Sequence, residues 1–114
     1  MYAQDSIELL RNAGIKFVQH QAEGIEILKF GRLLMTSGLV LMPGITWISF
    51  HGIYDFGYLL KILLNQKLPS TESAFYKYLR IFFKEFYDLK LLTECNQSFK
   101  GGLQELSEKY NVVL

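Results

Sequence analysis

Apolar residues recur at helical spacing from Ile25 to Thr36. Ile27, Phe30, Gly31 and Leu34 fall at i, i+3, i+4 and i+7 and predict one core-facing stripe. Gly31 on that stripe lets a neighbouring backbone come close, and Gly38 stops the helix. Leu28 and Met35, flanking Arg32, form a narrower second stripe, either covered by Leu39 to Met42 or offered to a partner protein. Upstream, Asp5 and Glu8 have the spacing of a capping box; Ile7 and Leu10 share a face, and Gly14 ends the turn. Ile45 to Phe50 is rich in β-branched and aromatic residues between Gly44 and Gly52, which predicts a strand.

Leu59, Leu60, Ile62, Leu63 and Leu64 predict a helix apolar nearly all round, buried against a sheet. Pro69-Ser70 opens another, with Ser70 as N-cap and Glu72 in its first turn. Phe75, Tyr78, Leu79 and Phe82 make its core stripe, while Lys77, Arg80 and Lys84 face water. Phe86 to Leu89 reads as a second short strand, and Gly101-Gly102 opens a last helix carrying Leu103, Leu106 and Tyr110. The expected architecture is α/β, mostly helical with two short strands. A lone strand pair is marginal in water, and Trp47 to Phe50 reads as a central, buried strand needing neighbours on both sides. As read, the domain is incomplete.

No Asp, Glu, Lys or Arg interrupts Leu33 to Tyr54, a run long enough to cross a bilayer. Pro43-Gly44 reads as a turn dividing it into a helix end and a buried strand, and no membrane partner is expected. With 114 residues there is room for one domain, and 50% hydrophobic against 20% charged excludes intrinsic disorder. Twelve basic against eleven acidic residues leave a net charge of +1, so any nucleic acid contact must be local rather than a bulk basic field. The single cysteine, Cys95, is expected to be a small buried apolar residue in a reducing compartment.

The segment densest in chemistry is His51-Gly52-Ile53-Tyr54-Asp55-Phe56-Gly57-Tyr58-Leu59. A carboxylate between the end of a strand and the start of a helix sits where α/β folds commonly bind ligands. Asp55 in a first helical turn is either a cap or a site residue, with Tyr54, Phe56 and Tyr58 as core aromatics in the first case. His51, four residues before Asp55, could share its face and a metal, or only hydrogen-bond the turn. Lys100-Gly101-Gly102 is a phosphate nest or a flexible turn. Asp88 reads as structural, and His20 in Gln19-His20-Gln21 as a solvated loop residue.

The same nine-residue segment resembles the second exonuclease motif of the Caf/Pop family of poly(A)-specific ribonucleases. These are DEDD-class deadenylase subunits of the carbon-catabolite-repression–Not complex. Met1 to Leu10, Leu33 to Gly38 and Lys100 to Glu105 are similar to family segments in the same order, and Gly52-Ile53 departs from the family's usual Ser-Gly. The resemblance implies a ribonuclease-H-like 3′-exonuclease fold, of which residues 1–114 form the central part of a single domain. It implies poly(A)-tail shortening with release of 5′-AMP, by four carboxylates holding two divalent metals, Mg²⁺ or Mn²⁺.

Of those four carboxylates only Asp55 maps onto the chain, as catalytic residue and metal ligand. The first and third motifs fall outside it, so the 114-residue polypeptide is expected to be inactive alone. His51, Tyr54, Phe56 and Lys100 are the candidate substrate-binding residues. Leu28, Arg32 and Met35 are the candidate partner-binding residues. The partners implied are poly(A) RNA, the scaffold subunit and the second nuclease subunit of the complex. The location implied is nucleus and cytoplasm, including mRNA-decay bodies. The competing reading is a non-catalytic module that binds the scaffold without cutting RNA.

Overall fold

A computed structural model describes residues 3–95 and 101–114. In chain order the elements are α1 (Gln4–Asn12), α2 (Phe17–Glu23), α3 (Ile27–Thr36), β1 (Thr46–Ser49) and α4 (Ile53–Leu64). Then follow α5 (Glu72–Phe82), β2 (Glu85–Asp88), α6 (Leu89–Glu94) and α7 (Leu103–Lys109). β1 and β2 pair in parallel, with Thr46 opposite Glu85 and Ser49 opposite Asp88. Parallel neighbours need a crossover connection, which α4 and α5 supply.

The strand pair is covered on one face only. Trp47 and Phe86 turn inward against the core, while Ile48 and Tyr87, opposite one another, are 65% and 53% exposed. The expectation of a strand buried from Trp47 to Phe50 is therefore corrected to period-two alternation. Among the described residues the sheet has two strands, so the outer face finds no second layer to bury it.

Beneath the inner face lies a core of Leu34, Val40, Phe56, Leu60, Leu63, Leu79, Phe82 and Phe83. Phe83 is fully buried at its centre and meets Trp47 and Phe56 edge-to-face, at 5.1 and 5.0 Å between ring centroids. The loop after α3 is drawn in with it: the Leu41 amide donates to the Phe82 carbonyl at 2.7 Å, and Val40 is buried. α3 crosses α4 at Gly31, where an added Cβ would lie 3.2 Å from Ile62 Cγ2 and 3.3 Å from the Ile62 carbonyl oxygen. That is the close backbone approach the sequence implied.

The uncharged run from Leu33 to Tyr54 is divided as expected, with Gly44 at φ +84° in the turn before β1. Among the described residues no helix is long and apolar enough to cross a membrane. Several expectations are corrected. Ala3, not Asp5, caps α1, and no side chain closes a box there. Ile27, the first residue of α3, is 65% exposed beyond the contact with α4, and only Gly31 and Leu34 are buried on that helix.

Thr71, one residue after Ser70, caps α5 by accepting from the Ala74 amide, and Tyr78 lies off the core. α4 is not buried all round, since Tyr54 and Tyr58 face outward. His20 sits in α2, a helix without the apolar stripe that would announce it. Leu89 begins α6 instead of ending β2, and Cys95 at the end of α6 is exposed.

Candidate functional site

The site is built where β1 hands over to α4. After Ser49 the chain turns sharply through His51, which adopts φ +55°, and Gly52 caps α4. Gly52 is buried, and a Cβ there would fall 2.6 Å from Ser49 Cβ, so no other residue fits this turn unchanged. Ile53, the departure from the family segment, takes an ordinary first-turn helical position. Asp55 lies in that first turn with its side chain exposed, near the positive end of the helix dipole. Its place in the strand–turn–helix unit is the one its sequence predicted.

Asp88, at the end of β2, reaches across to the same turn. Its Oδ1 accepts from the His51 amide at 2.8 Å and the Lys90 amide at 2.9 Å. Its Oδ2 accepts from the Gly52 amide at 2.9 Å and the Ser49 hydroxyl at 3.4 Å. Burial pushes the Asp88 carboxyl up, but these hydrogen bonds outweigh it and hold the group below its ordinary value. Each oxygen already serves two donors, which agrees with the structural reading of Asp88. No pattern in the sequence links it to residues so far away in the chain.

The other expected site residues separate into distinct places. His51 is exposed and lines a cavity of about 190 Å³ with Ser49, Ile53, Phe86 and Asp88. Tyr54 is 75% exposed and borders a larger cleft of about 520 Å³ between α4 and α5, with Tyr58, Lys61, Leu68, Glu72 and Tyr76. Phe56 is a correction: it is buried, stacked among Trp47, Phe83 and Phe86, and presents no face to a substrate. Phe56 shares one face of α4 with Leu60 and Leu63, at i, i+4 and i+7, and that face meets the core.

Lys100 lies outside the described residues. The nest reading of Lys100-Gly101-Gly102 is also corrected, since the Gly102 amide donates to the Glu105 carboxylate at 3.2 Å. An anion would meet that carboxylate. Leu28, Arg32 and Met35 are all exposed on α3, and Leu39, Leu41 and Met42 do not cover them. Among the described residues no three His, Cys, Asp or Glu side chains come together to hold a metal ion.

No family model matches the chain. Pairwise likeness is strong. The chain is 48% identical over 113 residues to probable CCR4-associated factor 1 homolog 10 of Arabidopsis thaliana, covering 98% of this chain and 40% of that protein. It is 45% identical over 112 residues to poly(A) ribonuclease pop2 of Schizosaccharomyces pombe, covering 98% and 33%. Among solved structures, S. pombe Pop2p in its Mg²⁺- and Mn²⁺-bound form superposes with a TM-score of 0.94 at 44% identity, over 99% of this chain and 45% of that one. The RNase domain of yeast Pop2 gives 0.87 at 36%, over 98% and 43%. CAF1 co-crystallised with the yeast NOT1 MIF4G domain gives 0.80 at 32%, over 99% and 43%.

Backbone agreement this close, at such identity, defines the fold as part of a ribonuclease-H-like nuclease domain. The chain is homologous, over nearly its whole length, to a stretch of the CCR4-associated factor 1 and Pop2 proteins. It spans about two fifths of the length of the A. thaliana relatives it matches.

Proposed function

We propose that this chain is the central part of a deadenylase domain, shortening poly(A) tails from the 3′ end, with Asp55 as the catalytic carboxylate it contributes. The observation that carries this is the exposed Asp55 in the first turn of α4, within a stretch homologous to a poly(A) ribonuclease. A two-metal site of the kind expected needs several carboxylates on each ion pair. The described residues do not meet that need: no ligating group of three is present, and the oxygens of Asp88 are occupied. Asp55 would therefore act with groups from outside this stretch. His51 and Tyr54, exposed on either side of the turn, are the remaining candidates for touching RNA. Such a protein would work where mRNA is turned over, in nucleus and cytoplasm including decay bodies.

The test uses two polypeptides. The 114-residue chain alone should release no AMP from oligoadenylate with Mg²⁺ or Mn²⁺. A chimera of S. pombe Pop2 in which this chain replaces the matching stretch should release it, and Asp55→Ala should remove that activity with the fold intact. An active Asp55→Ala chimera refutes the assignment.

A second reading rests on the exposed Leu28, Arg32 and Met35 of α3. An apolar pair beside an Arg suits an interface anchor. Its proposed partner is a scaffold of the NOT1 MIF4G kind, the domain with which a structural neighbour was co-crystallised. The two readings are compatible, and a chain with the second property alone would be a non-catalytic module. The deadenylase reading also carries the expectation of a second nuclease subunit as partner.

A further inference from the structure

We infer that Asp88 is a positioning residue: by holding the His51 and Gly52 amides it fixes the turn that begins α4, and with it the place of Asp55. The inference rests on the reading of Asp55 proposed above. Both carboxylate oxygens are engaged in the turn, Oδ1 with His51 and Oδ2 with Gly52, at 2.8 and 2.9 Å. The partners are 37 and 36 residues away in sequence, so the clamp joins the end of β2 to the start of α4 directly. Hydrogen bonds to an ionised acceptor are shorter and stronger than neutral ones.

Two features show that the turn has little slack. His51 sits at φ +55°, a region that side chains rarely adopt and that persists only where its surroundings determine it. Gly52 packs so closely on Ser49 that a Cβ would overlap it. Asp55 follows within the next helical turn, and its own side chain is exposed. The clamp thus reaches Asp55 through backbone, where no direct side-chain brace is needed.

Asp88 also caps α6 through the Lys90 amide, a purely structural duty. The test separates the two. In Asp88→Ser a hydroxyl can still cap α6 but cannot reach two amides across the turn; Asp88→Asn keeps the shape and loses the charge and part of the acceptor capacity. Both are made in the chimera described above and read for kcat, KM and melting temperature. Amide exchange is followed in the 114-residue chain.

The expected result is a kcat at least tenfold lower in both variants, with KM within twofold and the protein still fully folded at the assay temperature, the lost carboxylate lowering the melting temperature only modestly. Exchange should be at least tenfold faster at His51 and Gly52 and unchanged at Leu60 and Leu63. Full kcat in Asp88→Ser overturns the inference and leaves only the cap. Loss of turnover that tracks unfolding in either variant also overturns it, in favour of a structural role. Retained turnover in Asp55→Ala would instead refute the reading of Asp55 itself, so the two failures are distinguishable.

Discussion

Replacing Phe83 by Ala removes the ring at the centre of the core. Phe83 is fully buried and meets Trp47 and Phe56 edge-to-face at 5.1 and 5.0 Å. Truncating a buried Phe costs about 3–5 kcal/mol, cavity included. Each aromatic pair adds about 0.5–1.5 kcal/mol beyond the area it buries, part of which is already within that range. Because Phe83 stands at the join between α5 and β2, the site has little freedom to collapse, and we expect a loss of about 4 kcal/mol. That is a large share of the roughly 5–15 kcal/mol by which domains are stable.

Trp47 is the only tryptophan and lies against the lost ring, so its fluorescence reports unfolding without a label. Urea denaturation should show a lower midpoint with an unchanged slope. Phe83→Leu, which keeps the apolar bulk but loses the ring pairs, should fall between. A loss below about 1 kcal/mol for Phe83→Ala would refute the claim that this cluster organises the core.

Gly31→Ala should destabilise despite a helix-propensity gain of about 1 kcal/mol, because the new Cβ would lie 3.3 Å from the Ile62 carbonyl oxygen, and relieving that contact means moving helix backbone rather than a flexible side chain. A net loss of about 1 kcal/mol in the same denaturation assay is expected, and a gain would show the α3–α4 contact to be looser than described. The Asp88 carboxyl is held below its ordinary value in the fold, so its contribution is fully present above the ordinary value of 3.8 and is lost as pH falls through the lower folded one. Acid unfolding of Asp88→Asn should lack that component, and identical acid profiles would contradict it. Met35→Arg should abolish capture by the scaffold domain proposed above, a cost of about 2 kcal/mol or more, with melting temperature unchanged. Unaffected capture would refute the interface reading, and an unfolded variant would show that the half-exposed Met35 matters to packing rather than to docking.

The legible parts of this fold are those set by local rules. Phe30, Gly31 and Leu34 announce α3 and its close contact by spacing alone, and Pro43-Gly44 marks the turn into β1. Asp55 could be placed in the first turn of α4 because a β-branched run, a glycine and an apolar run follow in order. α2 gives no sequence signal, because its residues carry no apolar stripe at helical spacing. Phe83 and Val40 lie outside any regular element, so their burial depends on tertiary packing that spacing does not encode. The Asp88 clamp is not encoded in local spacing either: it exists only once β1 and β2 are in register. Phe56 shows the converse error, since a motif rich in aromatics next to a carboxylate invites a ligand reading of a residue that is core.

The parallel pairing of Ser49 with Asp88 also fixes an order of events. Antiparallel strands can zip from a short turn, but this ladder cannot start until the chain from α4 through α5 has doubled back. Closing that loop costs entropy before any strand contact repays it, so helices, which form within about a microsecond, should be present first. The turn at His51 and Gly52 would then be the last part to lock, because its acceptor arrives only with β2. A refolding experiment followed by circular dichroism and by Trp47 emission should therefore show helical signal ahead of the tryptophan environment. On a ribosome the consequence is sharper still: until Asp88 has left the exit tunnel, Asp55 is made but not yet in place.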